Sequence, residues 1–417
     1  MINKPRGTED ILPAGSAIWR KVEQEIHRIC KACGYGEIRT PTFESTELFS
    51  RGVGSDTDVV KKEMYTFLDK GERSITLRPE GTASAVRAYL ENSLYANTQP
   101  TKLYYIIPCY RYEKPQSGRL REFHQFGIEC FGAASALADA EVIALAAELL
   151  KTLNVSGVKI NINSIGCPAC RSGYNEKLRA YLEARKDKLC AACVDRLGRN
   201  PMRVMDCKSP VCGEIAASAP KIIDNICGDC REHFDGVRAH LDNIGIEYGI
   251  NPDIVRGLDY YTRTVFEITS DALGAQSAVC GGGRYDGLVK ELGGQDTPGI
   301  GFALGLERLV MILKSQQTVF NSDDGVDIFI AAIGAEAELL AMKLARDLRS
   351  AGKSAQVDLC GRSVKAQMKY ADKLGARFSV VIGDDEVASG TAELKNMETG
   401  EKVAVRLDDV GAAISRP

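Results

Sequence analysis

Arg256-Gly257-Leu258-Asp259-Tyr260-Tyr261-Thr262 is the stretch whose reading decides the fold. It leads into Thr264-Val265-Phe266-Glu267-Ile268, a β-branched and aromatic run that predicts a strand. An arginine, a carboxylate and two phenols thus stand at the mouth of an apolar strand, where a charge is costly unless it is paired or used. Five further strings repeat the arrangement: Thr76 to Thr82, Tyr110 to Glu113, Gln125 to Glu129, Gly281 to Tyr285 and Gly305 to Arg308. Several such places in one chain point to one pocket that handles a polyanion and a small polar molecule together.

Around these strings the chain is ordinary globular material. Its 417 residues exceed one ordinary core, so two or three domains are expected. It is 44% hydrophobic and 26% charged, with a net charge of -3, so any nucleic-acid surface must be local. No run of about eighteen apolar residues occurs, which argues against a membrane span. The opening Met1 to Gly7 lacks the apolar core of a signal peptide. Eight of the 14 cysteines fall between Cys167 and Cys230, mostly in CxxC pairs. Without a secretion signal these read as metal ligands in a cytoplasmic protein.

Helical spacing of Ile18, Val22, Ile26 and Ile29 stops at Gly34, and Asp139 to Leu153 reads as a second helix. Leu103 to Ile107 and Phe126 to Phe131 read as strands, and Leu304 to Leu313 as a helix. The cysteine-rich stretch interrupts this style. Asn321-Ser322-Asp323-Asp324-Gly325 reads as a linker. Beyond it, strands at Asp327–Ala332, Ser354–Leu359 and Phe378–Ile382 alternate with helices at Ala335–Ala351 and Arg362–Leu374. That alternation predicts a small α/β domain with largely parallel pairing.

No G-x-x-x-x-G-K-[ST] loop occurs, and the glycine runs at Gly281 and Gly299 do not fit G-x-G-x-x-G. Phosphate must then be held by side chains, with Arg111, Arg256 and Arg308 as candidates. The four histidines, His27, His124, His233 and His240, lie outside the strings where a base would be needed.

These strings carry a resemblance. Tyr110 to Glu113 with the loop to Phe123, and Gly301 to Arg308, resemble the second and third motifs of class II aminoacyl-tRNA synthetases. Arg256 to Thr262 and Gly282-Gly283-Arg284-Tyr285-Asp286 resemble the two histidine-specific strings of the histidyl-tRNA synthetases, as does the opening Arg6 to Pro13. The resemblance implies an α+β catalytic domain at 1–165 and 251–320, built on the class II antiparallel sheet with flanking helices. It implies a mostly helical, cysteine-rich insertion at 166–250 and an α/β anticodon-binding domain at 326–417. It also implies a homodimer with Gly36 to Phe49 at the interface.

The implied activity is ligation of L-histidine to histidine tRNA through a histidyl-adenylate formed from ATP, with Mg2+ on the outer phosphates. Carried over residue by residue, Arg111, Arg256 and Arg308 are catalytic, and Arg111, Glu113 and Arg308 bind ATP. Glu80, Thr82 and Gln125 surround the α-amino group of histidine and Glu129, Tyr261 and Tyr285 the imidazole, with Gly81 and Tyr260 also among the histidine-binding residues. Lys114, Gln116, Arg119 and Arg121 meet the acceptor end of the tRNA.

From residue 343 to 377, nine basic side chains face three aspartates, and Lys365, Lys369 and Lys373 fall on one helix face. Lys365 and Lys369 are therefore expected against tRNA phosphates. Cys167, Cys170, Cys190 and Cys193 fit one four-cysteine zinc template; Cys207, Cys212, Cys227 and Cys230 nearly fit a second. The resemblance does not supply this metal. A different reading is a non-catalytic, synthetase-like regulatory subunit of histidine biosynthesis.

Overall fold

The structure, a computed structural model, describes residues 2–415 except 55, 56, 58, 206, 208, 255, 274–277 and 319–324. Most of the expected linker therefore lies outside the described residues. The chain divides into two units, 1–319 and 320–417.

The first unit is organised by an eight-stranded sheet. Its order is Gly36–Glu37, Thr101–Tyr110, Glu122–Phe131, Gly299–Gly305, Ala278–Arg284, Thr262–Ser270, Val158–Ser164 and Gly249–Ile250. The six long strands pair antiparallel. Only the two-residue strands at the edges pair parallel. Helices Pro13–Ala32 and Ala136–Thr152 bury the apolar stripes that their spacing announced: Val22, Ile26 and Ile29 on the first, Val142, Leu145 and Leu149 on the second. A second, three-stranded sheet joins Phe43–Ser45, Ser74–Leu77 and Tyr65–Leu68.

Between Val158–Ser164 and Gly249–Ile250 the chain leaves the sheet for helices Pro168–Glu183, Ala191–Arg199, Pro210–Ala217 and Gly228–Asn243. It rejoins the sheet at Gly249, slightly before the expected boundary at 251. Each CxxC of this segment opens a helix, with Cys167, Cys190 and Cys227 at the N-terminal caps. That placement explains the spacing, because the cap residue and the third helical residue lie on the same side of the first turn.

The cysteines group differently from the sequence reading. Cys167 and Cys170 meet Cys227 and Cys230, while Cys190 and Cys193 meet Cys207 and Cys212. The first and last helices of the segment start beside each other, with the Cys227 N–H donating to Cys170 Sγ at 3.0 Å. Neighbours along the chain are thus separated in space.

The second unit carries a five-stranded sheet ordered Ala355–Val357, Ile328–Ala332, Phe378–Ile382, Thr391–Asn396 and Lys402–Arg406. The first three strands are parallel, as the alternation predicts, with helices Ala335–Ser350 and Val364–Lys373 between them. The closing antiparallel hairpin was not anticipated.

Candidate active site

One face of the large sheet supports a cavity of about 240 Å³ lined by Glu80, Arg111, Gln125, Arg256, Gly281 and Arg308, among others. Arg111 follows directly on the strand Thr101–Tyr110. Its Nε donates to the Leu120 carbonyl at 2.9 Å, and its guanidinium lies 3.9 Å from the centre of the Phe123 ring. Burial, together with the neighbouring Arg119, brings its pKa down to about 10. A cation stacked and tethered in this way is preorganised and still gains from an arriving anion.

Arg308 sits in the first turn of helix Leu306–Ser315. It donates to the carbonyls of Gly118 at 3.0 Å and Ala278 at 2.6 Å. Arg256 stands 3.8 Å from Glu267, and its buried Nε has no hydrogen-bond partner among the described residues. A Cβ at Gly281 would lie inside the Arg256 guanidinium, so the glycine supplies the space that this cation occupies. Three arginines from three separate chain segments thus converge on one cavity.

Close by lies a buried cluster of polar side chains. Glu129, 1% exposed, accepts hydroxyl hydrogen bonds from Tyr105 at 3.0 Å and from Tyr285. Burial pushes its carboxyl up to about 8, against the hydroxyls of Tyr285, Thr82 and Tyr105 that pull it down. Register makes the room. Gly127 faces Tyr105 across one strand pair, and Gly301 faces Glu129 across the next. A side chain at either glycine would overlap the polar group opposite.

Tyr260 and Tyr261 stack with ring centres 4.7 Å apart, and Tyr260 meets Tyr285 at 5.7 Å. Glu80 caps helix Thr82–Glu91 through the N–H groups of Thr82, at 2.7 Å, and Ala83, at 2.9 Å. Burial raises its pKa against those two donors. Gln125 accepts from the Gly81 N–H at 2.9 Å and ties that loop to the sheet.

The structure therefore brings together Arg111, Arg256 and Arg308, and next to them Glu80, Gly81, Thr82, Gln125, Glu129, Tyr260, Tyr261 and Tyr285. Arg119 departs from its expected place in the tRNA-facing loop. It turns inward, lines the arginine cavity and is held by Glu113, with Glu63 at 3.9 Å. Glu113 is correspondingly engaged by protein. Burial opposes its ionisation, but Arg119 holds its pKa below the usual range, while burial and Glu113 push Glu63 above it.

Lys114 and Gln116 are exposed at the rim, and Arg121 lies over the Tyr112 ring at 4.6 Å. Lys365 and Lys369 are exposed in the second unit. Tyr105 escaped the sequence reading because it sits in an uninterrupted apolar run; the glycine facing it was the only signal. Arg284 is structural. With 0% of its side chain exposed, it is clamped between Asp139 and Asp286, and Asp139 also meets His233 at 2.7 Å.

The family model described as histidyl-tRNA synthetase matches residues 7–309, and that described as anticodon binding domain matches residues 327–416. A histidine–tRNA ligase of Acetivibrio thermocellus is 57% identical over 404 residues, covering 97% of both chains. One of Caldanaerobacter subterraneus subsp. tengcongensis is 54% identical over 410 residues, covering 98% of both. The solved apo histidyl-tRNA synthetase of S. aureus superposes with a TM-score of 0.86 at 41% identity, covering 100% of both chains.

Proposed function

The chain belongs to the histidyl-tRNA synthetase family, and from that premise we propose that it ligates L-histidine to histidine tRNA. The observation that carries the proposal is the convergence of Arg111, Arg256 and Arg308 on one cavity, with the buried Glu129–Tyr285 hydrogen bond close by. In the first step a carboxylate oxygen of histidine attacks the α-phosphorus of ATP, and pyrophosphate leaves. In the second, a hydroxyl of the terminal tRNA ribose attacks the carbonyl carbon, its proton is released, and AMP leaves.

The protein's part is placement and charge stabilisation. Arg111 bridges the histidine carboxylate and the α-phosphate, Arg256 faces the α-phosphate, and Arg308 takes the γ-phosphate side. Glu129 accepts from a ring N–H of histidine, and a tyrosine hydroxyl serves the other ring nitrogen. Glu80, Thr82 and Gln125 receive the ammonium group.

Magnesium would supply charge neutralisation on the outer phosphates. The nearby carboxylates Glu113, Glu267 and Glu307 already have protein partners, so phosphate and water would furnish most of its ligands.

Lys114 and Gln116 would meet the acceptor end of the tRNA, and Lys365 and Lys369 the phosphates near the anticodon; all four are exposed. A homodimer is supported by Phe43, Phe67 and Leu68, which stay exposed on the three-stranded sheet. Cysteines clustered in CxxC pairs favour a reducing compartment such as the cytoplasm; among the described residues no helix is long and apolar enough to cross a membrane.

The test is ATP–pyrophosphate exchange without tRNA, run with each amino acid. Exchange with histidine alone is expected. Folded protein that shows none would refute the proposal and favour the regulatory reading.

A further inference from the structure

We infer that the helical segment holds two zinc ions, one on Cys167, Cys170, Cys227 and Cys230 and a second, nested within it along the chain, on Cys190, Cys193, Cys207 and Cys212. In each tetrad the four sulfurs lie within 4.8 Å of one another. Separations of 3.5 Å for Cys167–Cys170, 3.9 Å for Cys170–Cys230 and 3.9 Å for Cys190–Cys207 are far too long for disulfides. They bracket the edge of about 3.8 Å that a tetrahedron with zinc–sulfur bonds near 2.3 Å requires. An iron–sulfur cluster needs room for its own iron and sulfide atoms and would spread the thiolates further.

The surroundings suit a tetrathiolate. The cap cysteines bring helix starts to both sites: Cys167 and Cys227 to the first, Cys190 to the second. Cys212 brings a second helix to that site, standing in the first turn of Pro210–Ala217. The positive ends of those dipoles face the excess negative charge that four thiolates leave on Zn2+. Backbone N–H groups donate to sulfur from Cys227 to Cys170 at 3.0 Å, from Cys190 to Cys212 at 3.3 Å and from Ser209 to Cys207 at 3.5 Å. Such outer contacts orient metal ligands. All four positions of each ion are filled by sulfur, so both sites are structural.

The nested ion also braces the histidine pocket. The chain between Cys193 and Cys207 carries Asn200 and Arg203, which donate to Asp259 Oδ1 at 3.2 and 2.8 Å. Asp259 immediately precedes Tyr260 and Tyr261. The segment's apolar interior, including Leu197, Met202 and Val204, is continuous with both tyrosines. This bracing rests on the proposed histidine site; the metal content does not.

The experiment is zinc analysis of the full chain purified without chelator, with paired variants. Two zinc ions per chain are expected, and fewer than about 1.5 would overturn the inference. Cys170→Ser with Cys230→Ser removes one site and should leave one zinc. Cys170→Ser with Cys193→Ser should leave none. Grouping by chain order reverses these two results and would equally overturn the assignment. Should the variants not fold, cobalt substitution of the parent protein decides. Thiolate-to-cobalt absorption that saturates at two equivalents supports the inference, and saturation at one or none refutes it. Cys193→Ser alone should raise the KM for histidine more than threefold; a parental KM in the folded variant would refute the bracing.

Discussion

Replacing Glu129 by glutamine should separate stability from histidine binding. The carboxyl is fully buried and is held at about 8 instead of the ordinary 4.5. Below pH 4.5 it is protonated in both folded and unfolded chains and costs nothing. As pH rises from 4.5 to about 8 the unfolded chain gives up its proton first, so stability falls; above that the loss is constant. At about 1.4 kcal/mol per pH unit the full loss approaches 5 kcal/mol. Glutamine resembles the protonated acid in shape and charge. E129Q should therefore lose this pH dependence and exceed the parent at pH 8.5 by roughly 2–5 kcal/mol.

Binding should move the other way. At pH 8.5, where the Glu129 carboxyl is ionised, a hydrogen bond to it from a ring N–H contributes about 1.5–3 kcal/mol, and a poorly matched buried donor costs more. The kcat/KM for histidine should fall by roughly 30- to 1,000-fold, with the KM for ATP nearly unchanged. The assays are denaturant unfolding at pH 6 and 8.5 and pyrophosphate exchange with varied histidine. A variant that is no more stable than the parent at pH 8.5, or that keeps parental kcat/KM, would refute the reasoning.

Gly281→Ala should displace the Arg256 guanidinium and lower kcat by about 10²–10³ with little change in melting temperature, because only the end of a side chain must move; exchange kinetics and calorimetry together check it. Arg284→Met leaves Asp139 buried against His233 alone and should cost about 3–5 kcal/mol, seen as a large fall in thermal midpoint. Lys365→Ala with Lys369→Ala should weaken tRNA binding and flatten the plot of log K against log salt by about 1.4, while leaving pyrophosphate exchange at the parental rate.

What could be read from sequence follows from what is local. Gly352 and Gly375 end helices whose apolar stripes are plain, so the α/β half of the second unit was visible. Its closing hairpin was not, because Lys402–Arg406 is short, and its Val403 and Val405 do not form a buried face. The order of the large sheet places Val158–Ser164 between Thr262–Ser270 and Gly249–Ile250, a long-range fact that spacing cannot encode. Only the resemblance supplied its antiparallel character.

The same limit governs the site. Each arginine was identifiable as a charge in an unlikely place. Which partner it meets was not, and Arg119 shows why. Composition made its loop basic and solvated, but Glu113 and Glu63, from two different segments, draw the side chain inward. The cysteine spacing raised the expectation of metal, while the grouping of the sulfurs depended on which helix starts lie side by side.

The facing of Tyr105 by Gly127 and of Glu129 by Gly301 has an evolutionary consequence. The cavity's shape is written twice, once in the residue that projects and once in the absence opposite it. A new projecting group needs a matching vacancy on the adjoining strand, and a filled vacancy expels the group it served. Lineages drifting toward another amino acid must change both strands together, and each intermediate carries a clash or a hole. On the proposed assignment of this cluster to histidine, selectivity would be protected by the rarity of simultaneous change as well as by affinity.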